Sequence, residues 1–403
     1  MTAELGHRGH WWWLLAHTVF VHAVTALIRP TAAYRAIELG VPTAWLGALS
    51  AAFAIVPLVV ALRVGAWLDR RGERPVLTAG TALILVSAAG FVVPVHALLW
   101  LLGCSVVMGL GHLMSVVGQQ SLVGTVAPGG PTDASFGHYT FVASIGQAVG
   151  PLFIVMVGGS SATPPTETLF MGALLGALLA VGCAWALDVS SPRPTTLTVQ
   201  RKGAARSVLR LPGLGPVLLV SLTVLAAVDL LAVYLPALGT ERGVSAAVVG
   251  VLLVLRAAAS MVSRLFLGRL SARLGSRRLL VLSTASAAVA MAALPFNLPL
   301  AVVGVLVVLA GLGLGVGQPL SMAWVVRIAP DELRGTALSL RLTGNRLGQT
   351  AMPAALGLVA AGAGAAGVLW ALAAVLGCVT LLATRVGSGA GPGSPAAKPP
   401  ETA

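Results

Sequence analysis

The stretch GAWLDRRGERPVL, residues 65–77, places five charged side chains between two apolar runs, in a chain of which only 9% of residues are charged. A second copy, GRLSARLGSRR at residues 268–278, follows 203 residues later and repeats the order of glycines and arginines; the matched positions are Gly65, Arg70, Gly72 and Arg74 against Gly268, Arg273, Gly275 and Arg277. Ala272 stands in the second copy where Asp69 stands in the first. A repeated charged loop between apolar runs predicts two similar halves.

Further repeats support this duplication. The tripeptide GLG at 109–111 returns at 311–313, and three spaced glycines also return; they are Gly137, Gly146 and Gly150, against Gly335, Gly344 and Gly348. The longest polar stretch separates the halves. The predicted division is an N-terminal six-helix bundle at 1–187, a cytoplasmic linker at 188–212, a C-terminal six-helix bundle at 213–385 and a Gly/Pro-rich, disordered tail at 386–403.

The composition predicts an all-α integral membrane protein. The 403 residues have a mean hydropathy of +0.94 and are 57% hydrophobic, which excludes a water-soluble globule with a polar exterior. Crossing a hydrocarbon core of about 30 Å takes about 20 helical residues. Twelve runs meet this length, at 11–28, 43–66, 75–95, 97–120, 136–158, 168–187, 214–238, 246–267, 279–297, 300–325, 336–360 and 363–384.

The net charge of +13 reports topology rather than a nucleic-acid partner. Of the 25 Lys and Arg residues, 19 fall in the N-terminus, in loops after even-numbered spans or in the tail. Three others, Arg29, Arg35 and Arg242, are assigned to the opposite side. This asymmetry follows the positive-inside rule, so a multi-pass protein of the plasma (inner) membrane with both termini in the cytoplasm is expected.

The charged stretch resembles the loop between helices 2 and 3 of the major facilitator superfamily, in which Gly65, Asp69, Arg70, Gly72 and Arg74 would form a gating loop. Gly65 and Gly72 would permit tight turns and close helix approach. The resemblance implies that Asp69 braces the other half, near Gly335 at the start of helix 11.

A second pattern, Gly137, Gly146, Gly150 and Pro151 in helix 5, resembles a motif of proton-coupled antiporters in the same superfamily, drug/proton antiporters among them. It implies proton-coupled efflux. The chain departs from the pattern after Pro151, and Ser105 or Cys104 stands where many such exporters carry an arginine. Proton-coupled uptake by symport is therefore the alternative; an integral membrane enzyme or a non-transporting receptor is less well supported, because no catalytic constellation is found.

Ionisable residues within spans are candidates for proton coupling, because charge at membrane depth is costly. Asp229 in helix 7 and Arg256 in helix 8 lie at similar depth, which predicts an ion pair that either couples protons or statically joins two helices. His112 and His17 are candidate proton relays, with a structural role as the alternative. His17 and His22 are five apart, so no metal site is expected.

A polar cavity is predicted from RLTGNRLGQ in helix 11, where Arg341, Asn345 and Gln349 are four apart and share one stripe, beside Arg346. Gln147 in helix 5 is the fifth candidate. Three membrane-depth arginines against one aspartate favour a small anionic or neutral organic substrate. The expected partners are this substrate, a proton gradient and the lipid bilayer, with no cofactor, and the expected state is a monomer.

Overall fold

The computed structural model describes residues 2–95, 97–126, 133–187, 209–211, 213–329 and 334–385. This part of the chain is helical and contains no strand. Its helices are α1 Thr2–Glu38, α2 Leu46–Arg71, α3 Glu73–Val92, α4 Leu98–Val126, α5 Asp133–Val157, α6 Thr166–Ala186, α7 Leu214–Glu241, α8 Ala246–Leu265, α9 Leu267–Leu274, α10 Ser276–Ala293, α11 Leu300–Ile328 and α12 Arg334–Arg385. The predicted linker and tail lie almost wholly outside the described residues.

Twelve membrane crossings result, because α12 contains two of them. At about 1.5 Å per residue, 52 helical residues would extend about 78 Å, far more than a hydrocarbon core of about 30 Å. Gly364, with φ 60° and ψ −158°, breaks the helix into arms 334–363 and 365–385. Ten described segments are long and apolar enough to span a membrane; α10 and the first arm of α12, which carry more polar residues, complete the twelve.

Local sequence explains several helix starts. The Ser245 hydroxyl accepts a hydrogen bond from the Val248 N–H at the start of α8. Pro165 and Pro299 stand directly before α6 and α11, where a residue without an N–H ends the preceding loop at no cost to the helix. Gly72 joins α2 to α3 with φ 81°, and Gly275 joins α9 to α10 with φ 75°, so both copies of the charged loop turn on a left-handed glycine.

The helices extend beyond several predicted spans. The predicted span 11–28 lies inside the 37-residue α1, and the amphipathic α9 falls in a stretch predicted as loop. Hydropathy detects the part of a helix that crosses hydrocarbon. The backbone hydrogen bonds of a helix remain satisfied beyond that part, so the helix continues into the interfacial region.

The first half (α1–α6) and the second half (α7–α12) meet mainly where α1 contacts α7, α2 contacts α12 and α5 contacts α8; α2 also contacts α7. We call the face with the loops at 39–45, 158–165, 242–245 and 294–299 the distal face, and the opposite face, with the loops at 72 and 275, the proximal face. Hydrogen bonds join the halves at the distal face, from Thr43 Oγ1 to Glu241 Oε1 at 3.3 Å and from Ala246 N to Ser161 O at 2.7 Å. The main buried cluster runs through both halves.

The glycines of α5 allow close packing on α1. A Cβ placed on Gly146 would lie 2.5 Å from Val19 O, and one on Gly150 would lie 2.6 Å from Leu27 N. Pro151, in the same helix, faces α8, because a Cβ on Gly250 would lie 3.2 Å from its carbonyl oxygen. Through the residues of the helix 5 pattern, α5 therefore packs against α1 of the first half and against α8 of the second half. The surroundings of Gly137 lie outside the described part.

The duplication offers a matched pair of substitutions. Gly146→Ala is expected to lower the free energy of unfolding by about 1–3 kcal/mol, because α1 must move to admit the methyl group. Gly344, its counterpart in α12, has open space where a Cβ would stand, so Gly344→Ala should be neutral or stabilising by up to about 1 kcal/mol through helix propensity. Thermal unfolding of both variants in detergent checks this difference; equal melting temperatures would contradict it.

Candidate functional site

Asp229 is buried in α7 at the boundary between the halves. Its Oδ1 forms an ion pair with Nη1 of Arg29 from α1, and its Oδ2 accepts a hydrogen bond from Nε2 of Gln349 in α12 at 2.6 Å. Gln349 in turn accepts from Nη1 of Arg346 at 3.0 Å. We call these four residues the Asp229 cluster. One carboxylate therefore connects a guanidinium of the first half to two polar side chains of the second half.

The Arg29 side chain is held by its surroundings as well as by charge. Its guanidinium carbon lies 4.9 Å from the centroid of the Phe53 ring in α2, a cation–π distance. The side chains of Arg29 and Asp229 are 15% and 7% exposed, so water screens the pair weakly. Helix α1 continues through Pro30 to Glu38, which keeps Arg29 inside the helix rather than in a loop.

A small cavity adjoins the cluster. Arg29, Ser50, Phe53 and Ser105 line it within the first half, and Val233 of α7 borders it from the second half. Arg29 Nη2 and Ser50 Oγ are both buried and have no hydrogen-bond partner in the described part of the chain. Buried polar atoms normally have partners, and the cavity volume of about 10 Å³ leaves room beside these two atoms for about one water-sized polar group.

The predicted ion pair of Asp229 with Arg256 is wrong. Asp229 pairs with Arg29, whereas Arg256 is buried in α8 with no ion-pair partner among the described residues and with an unpartnered Nε. The prediction assumed that α7 and α8 are neighbours because a short loop joins them. In the structure α7 packs chiefly along α12, and the Asp229 carboxylate of α7 faces Arg29 in the first half.

Arg341 and Asn345 belong to a separate cluster within the second half. Arg341 Nη2 donates to the carbonyl oxygen of Gln318 at 2.8 Å, to its Oε1 at 2.7 Å and to Ser321 Oγ at 3.2 Å. Asn345 Oδ1 accepts from Ser221 Oγ at 2.8 Å. The stripe predicted for one cavity is thus divided, with Arg341 and Asn345 bound to α11 and α7, and Arg346 and Gln349 beside Asp229. Gln147 is half-buried on α5.

His17 lies in a hydrogen-bonded chain inside the first half. Its Nε2 lies 2.9 Å from Thr81 Oγ1, and its Nδ1 lies 2.9 Å from Nε2 of Gln119. Gln119 also accepts from the Tyr139 hydroxyl at 3.1 Å. These bonds join α1, α3, α4 and α5, and they give His17 the hydrogen-bond partners that the structural alternative expects.

His112 lies nearer the Asp229 cluster. Its Nδ1 is 3.2 Å from Thr25 Oγ1, and its ring centroid is 5.4 Å from that of His22. Phe53 connects this group to the cluster, because its ring is 5.6 Å from His112 on one side and contacts Arg29 on another. His112 is therefore placed beside the charged site, and His17 is not.

The gating-loop residues lie on the proximal face. Arg70 and Arg74 are exposed there, and Gly72 supplies the turn. Gly65 has open space where a Cβ would stand, so the close helix approach predicted for it is not found. The Asp69 side chain and the surroundings of Gly335, near the start of α12, lie outside the described part, as does the predicted contact between them.

Sequence reasoning missed Arg29, Ser50 and Phe53. The first predicted span ends at 28 because the charge of Arg29 and the following Pro30 predict a loop. One signal was present: Arg29 departs from the positive-inside pattern, and the sequence after it, TAAYRAI, is still mostly apolar. No comparable signal marks Ser50 and Phe53, which are ordinary members of an apolar helix.

Solved structures of other transporters have the same fold. The nucleoside transporter NupG (D323A mutant) superposes with a TM-score of 0.76 at 11% identity, over 94% of this chain and 99% of that one. A POT family transporter in complex with 5-aminolevulinic acid superposes with a TM-score of 0.74 at 14% identity, over 92% of this chain and 94% of that one. No curated protein matches the chain in sequence.

A family model for the Major Facilitator Superfamily matches residues 14–236 and again residues 217–402. The two matches correspond to the two halves of the fold and cover nearly the whole chain. Together with the twelve crossings, these matches establish the family relationship that the charged loop and its copy indicated. The chain belongs to the major facilitator superfamily.

Proposed function

We propose that the chain transports a small organic anion across the membrane together with a proton, by alternating access of a site between its halves. Membership of the superfamily makes the chain a multi-pass membrane transporter rather than an enzyme. The observation that carries the finer proposal is the Arg29–Asp229 ion pair, which joins the halves at a buried site. We also propose that the proximal face is cytoplasmic, that the membrane is the plasma membrane and that the bundles divide at the linker 188–212.

The coupling follows from the charges of the Asp229 cluster. Arg29 and Arg346 contribute two positive charges, and Asp229 contributes one negative charge. Protonation of Asp229 removes its attraction for Arg29 and leaves a buried guanidinium without a counterion, at a cost of several kcal/mol. An anionic substrate group at Arg29 restores that charge balance. Proton and anion therefore stabilise each other's binding, which is the linkage that symport requires.

The unpartnered atoms supply the position of the anionic group. Arg29 Nη2 and Ser50 Oγ line the same small cavity, and a carboxylate or phosphate oxygen that reached them when the halves separate would satisfy both. The fold can hold a ligand of this kind, since the POT family structure is in complex with 5-aminolevulinic acid. The rest of the substrate would lie between the halves, beside Phe53.

Export in exchange for protons is the second candidate. The observation in its favour is that Gly146, Gly150 and Pro151, the helix 5 pattern, lie where α5 crosses α1 and α8. A neutral substrate that does not bind Arg29 would suit such exchange, because the binding of that substrate would not require Asp229 to be protonated.

Untargeted mass spectrometry of cells and medium tests the proposal. Cells expressing the wild type are compared with cells expressing Asp229→Asn, with and without a protonophore; Glu167→Gln, an exposed carboxylate on α6, is the matched control. The expected result is an acidic compound that accumulates in wild-type and control cells and is lost when the gradient collapses. Loss of a compound from wild-type cells, reversed by the protonophore, would establish export instead. Transport insensitive to the gradient would overturn both.

A further inference from the structure

A cavity of about 840 Å³ lies away from the Asp229 cluster, at the proximal end of the second half. Helices α8, α9, α10 and α11 wall it, and its lining includes Phe266, Leu270, Leu282 and Val316. Phe266 and Leu282 are 45% and 55% exposed, so the cavity opens to the outside of the helical bundle. Its volume lies within the range of about 300–1,000 Å³ typical of ligand pockets.

The lining is suited to an apolar occupant. Three serines contribute its polar side chains apart from the arginines, and each donates to a carbonyl oxygen of its own helix: Ser263 to Ser260, Ser283 to Leu280 and Ser286 to Ser283. Their hydroxyl hydrogens are therefore already used. A water-soluble, polar ligand would find few free donors on these walls, whereas a hydrocarbon chain needs none.

Two arginines stand at the rim. Arg269 and Arg273 line the cavity, are four residues apart on α9, and are both exposed. Leu267, Leu270 and Leu274 recur at intervals of three and four along the same helix, which makes α9 amphipathic. In the described part of the chain neither guanidinium has an ion-pair partner. The rim thus offers two positive charges directly beside an apolar volume.

Comparison of the two loop copies shows that arginines without neighbouring carboxylates are particular to the second half. The first copy of the loop carries Asp69 and Glu73, and the second carries Ala272 and Ser276 at the matched positions. The stretch 264–278 consequently holds five arginines and no carboxylate. In the first half Glu73 is buried and accepts a hydrogen bond from Ser121 at 3.1 Å. The second half has lost both acidic groups where the cavity stands.

We propose that this cavity binds an anionic phospholipid, with an acyl chain in the apolar volume and the phosphate between Arg269 and Arg273. Basic residues on an amphipathic helix at the membrane surface attract anionic headgroups, and basic pockets between transmembrane helices bind them. The apolar volume adds a chain-binding element that a free phosphate could not use. The site is separate from the substrate path, and the inference does not depend on the direction or coupling of transport.

Native mass spectrometry of the purified full chain, equilibrated with equal amounts of phosphatidylglycerol and phosphatidylcholine of identical chains, tests the headgroup. The wild type should retain phosphatidylglycerol over phosphatidylcholine about tenfold, and the Arg269→Gln/Arg273→Gln variant should retain both equally. The control Arg63→Gln/Arg71→Gln removes two exposed proximal arginines of the first half and should keep the preference. Equal retention by the wild type, or equal loss in the control, would overturn the proposal.

Two further measurements test the acyl chain. Leu282→Trp fills the cavity without changing charge and should reduce retained lipid of both kinds about tenfold. Glycerol phosphate, which has the charge but no chain, should not displace phosphatidylglycerol from the wild type. Unchanged retention in Leu282→Trp, or displacement by glycerol phosphate, would exclude a lipid in the cavity and point to a surface anion site. The displacement experiment uses the wild type and so remains decisive if a variant fails to fold.

Discussion

Replacing Asp229 with asparagine is expected to abolish proton-driven accumulation of the substrate while leaving exchange of substrate across the membrane intact. Asparagine resembles the protonated aspartate in shape and charge, so the Asp229→Asn protein should bind the anion at Arg29 as the protonated wild type does. It can no longer release a proton, and the gradient can therefore no longer drive transport. Uptake into proteoliposomes under an imposed pH gradient should fall to the uncoupled level, and counterflow should persist.

The ion pair also makes a prediction about stability. Arg29→Gln leaves Asp229 as a buried anion with Gln349 as its remaining hydrogen-bond donor among the described residues, and breaking a buried pair in this way costs about 3–5 kcal/mol. The double variant Arg29→Gln/Asp229→Asn removes both charges of the pair, keeps the net charge of the Asp229 cluster at its wild-type value and should recover much of that loss. A double-mutant cycle on thermal unfolding measures this coupling. Additive changes in the free energy of unfolding would show that the pair contributes little to stability. In the proteoliposome assay, gradient-driven accumulation by folded Asp229→Asn would refute the coupling role of Asp229.

The twelve crossings and their duplication could be predicted from sequence, because both depend on local signals. Apolar runs of about 20 residues must span the bilayer, and the charged loop and its copy share a spacing that no single contact determines. Span boundaries were less accurate. At Arg29 a single charge ends the predicted first span, although α1 continues to Glu38 and carries that charge into the protein interior.

The partners within the site could not be predicted, because they depend on which helices are neighbours. Asp229 and Arg256 match in depth, but depth alone does not determine the direction in which a side chain points. The same limit applies to the first arm of α12, which corresponds to predicted helix 11. Arg341 and Gln349 share a stripe there and yet contact different elements. A polar residue on an apolar helix signals a buried contact, and only the helix packing shows that Arg341 bonds Gln318 while Gln349 bonds Asp229.

Gly47→Val is expected to change the relative populations of the transporter's conformations rather than the charges of the Asp229 cluster. At the distal ends of α2 and α12 the backbones of the two halves nearly touch: a Cβ on Gly47 would lie 2.2 Å from Pro353 O, and one on Gly357 would lie 2.5 Å from Ala44 O. Gly47→Val cannot be accommodated with the distal face closed. If the strain of about 1–3 kcal/mol falls only on this closed state, the distal-open state gains about 5- to 150-fold in relative population.

Pulsed electron paramagnetic resonance between labels on the two halves measures this shift. Thr168→Cys on α6 and Asn297→Cys after α10 are exposed at the distal face, and Cys378, which is exposed, is first replaced by serine. Gly47→Val should lengthen the distance between the labels and slow transport at least tenfold. Gly103→Val is the control, because a Cβ at Gly103 meets open space and should change neither quantity. An unchanged distance distribution in folded Gly47→Val would mean that close approach at this crossing is not what closes the distal face.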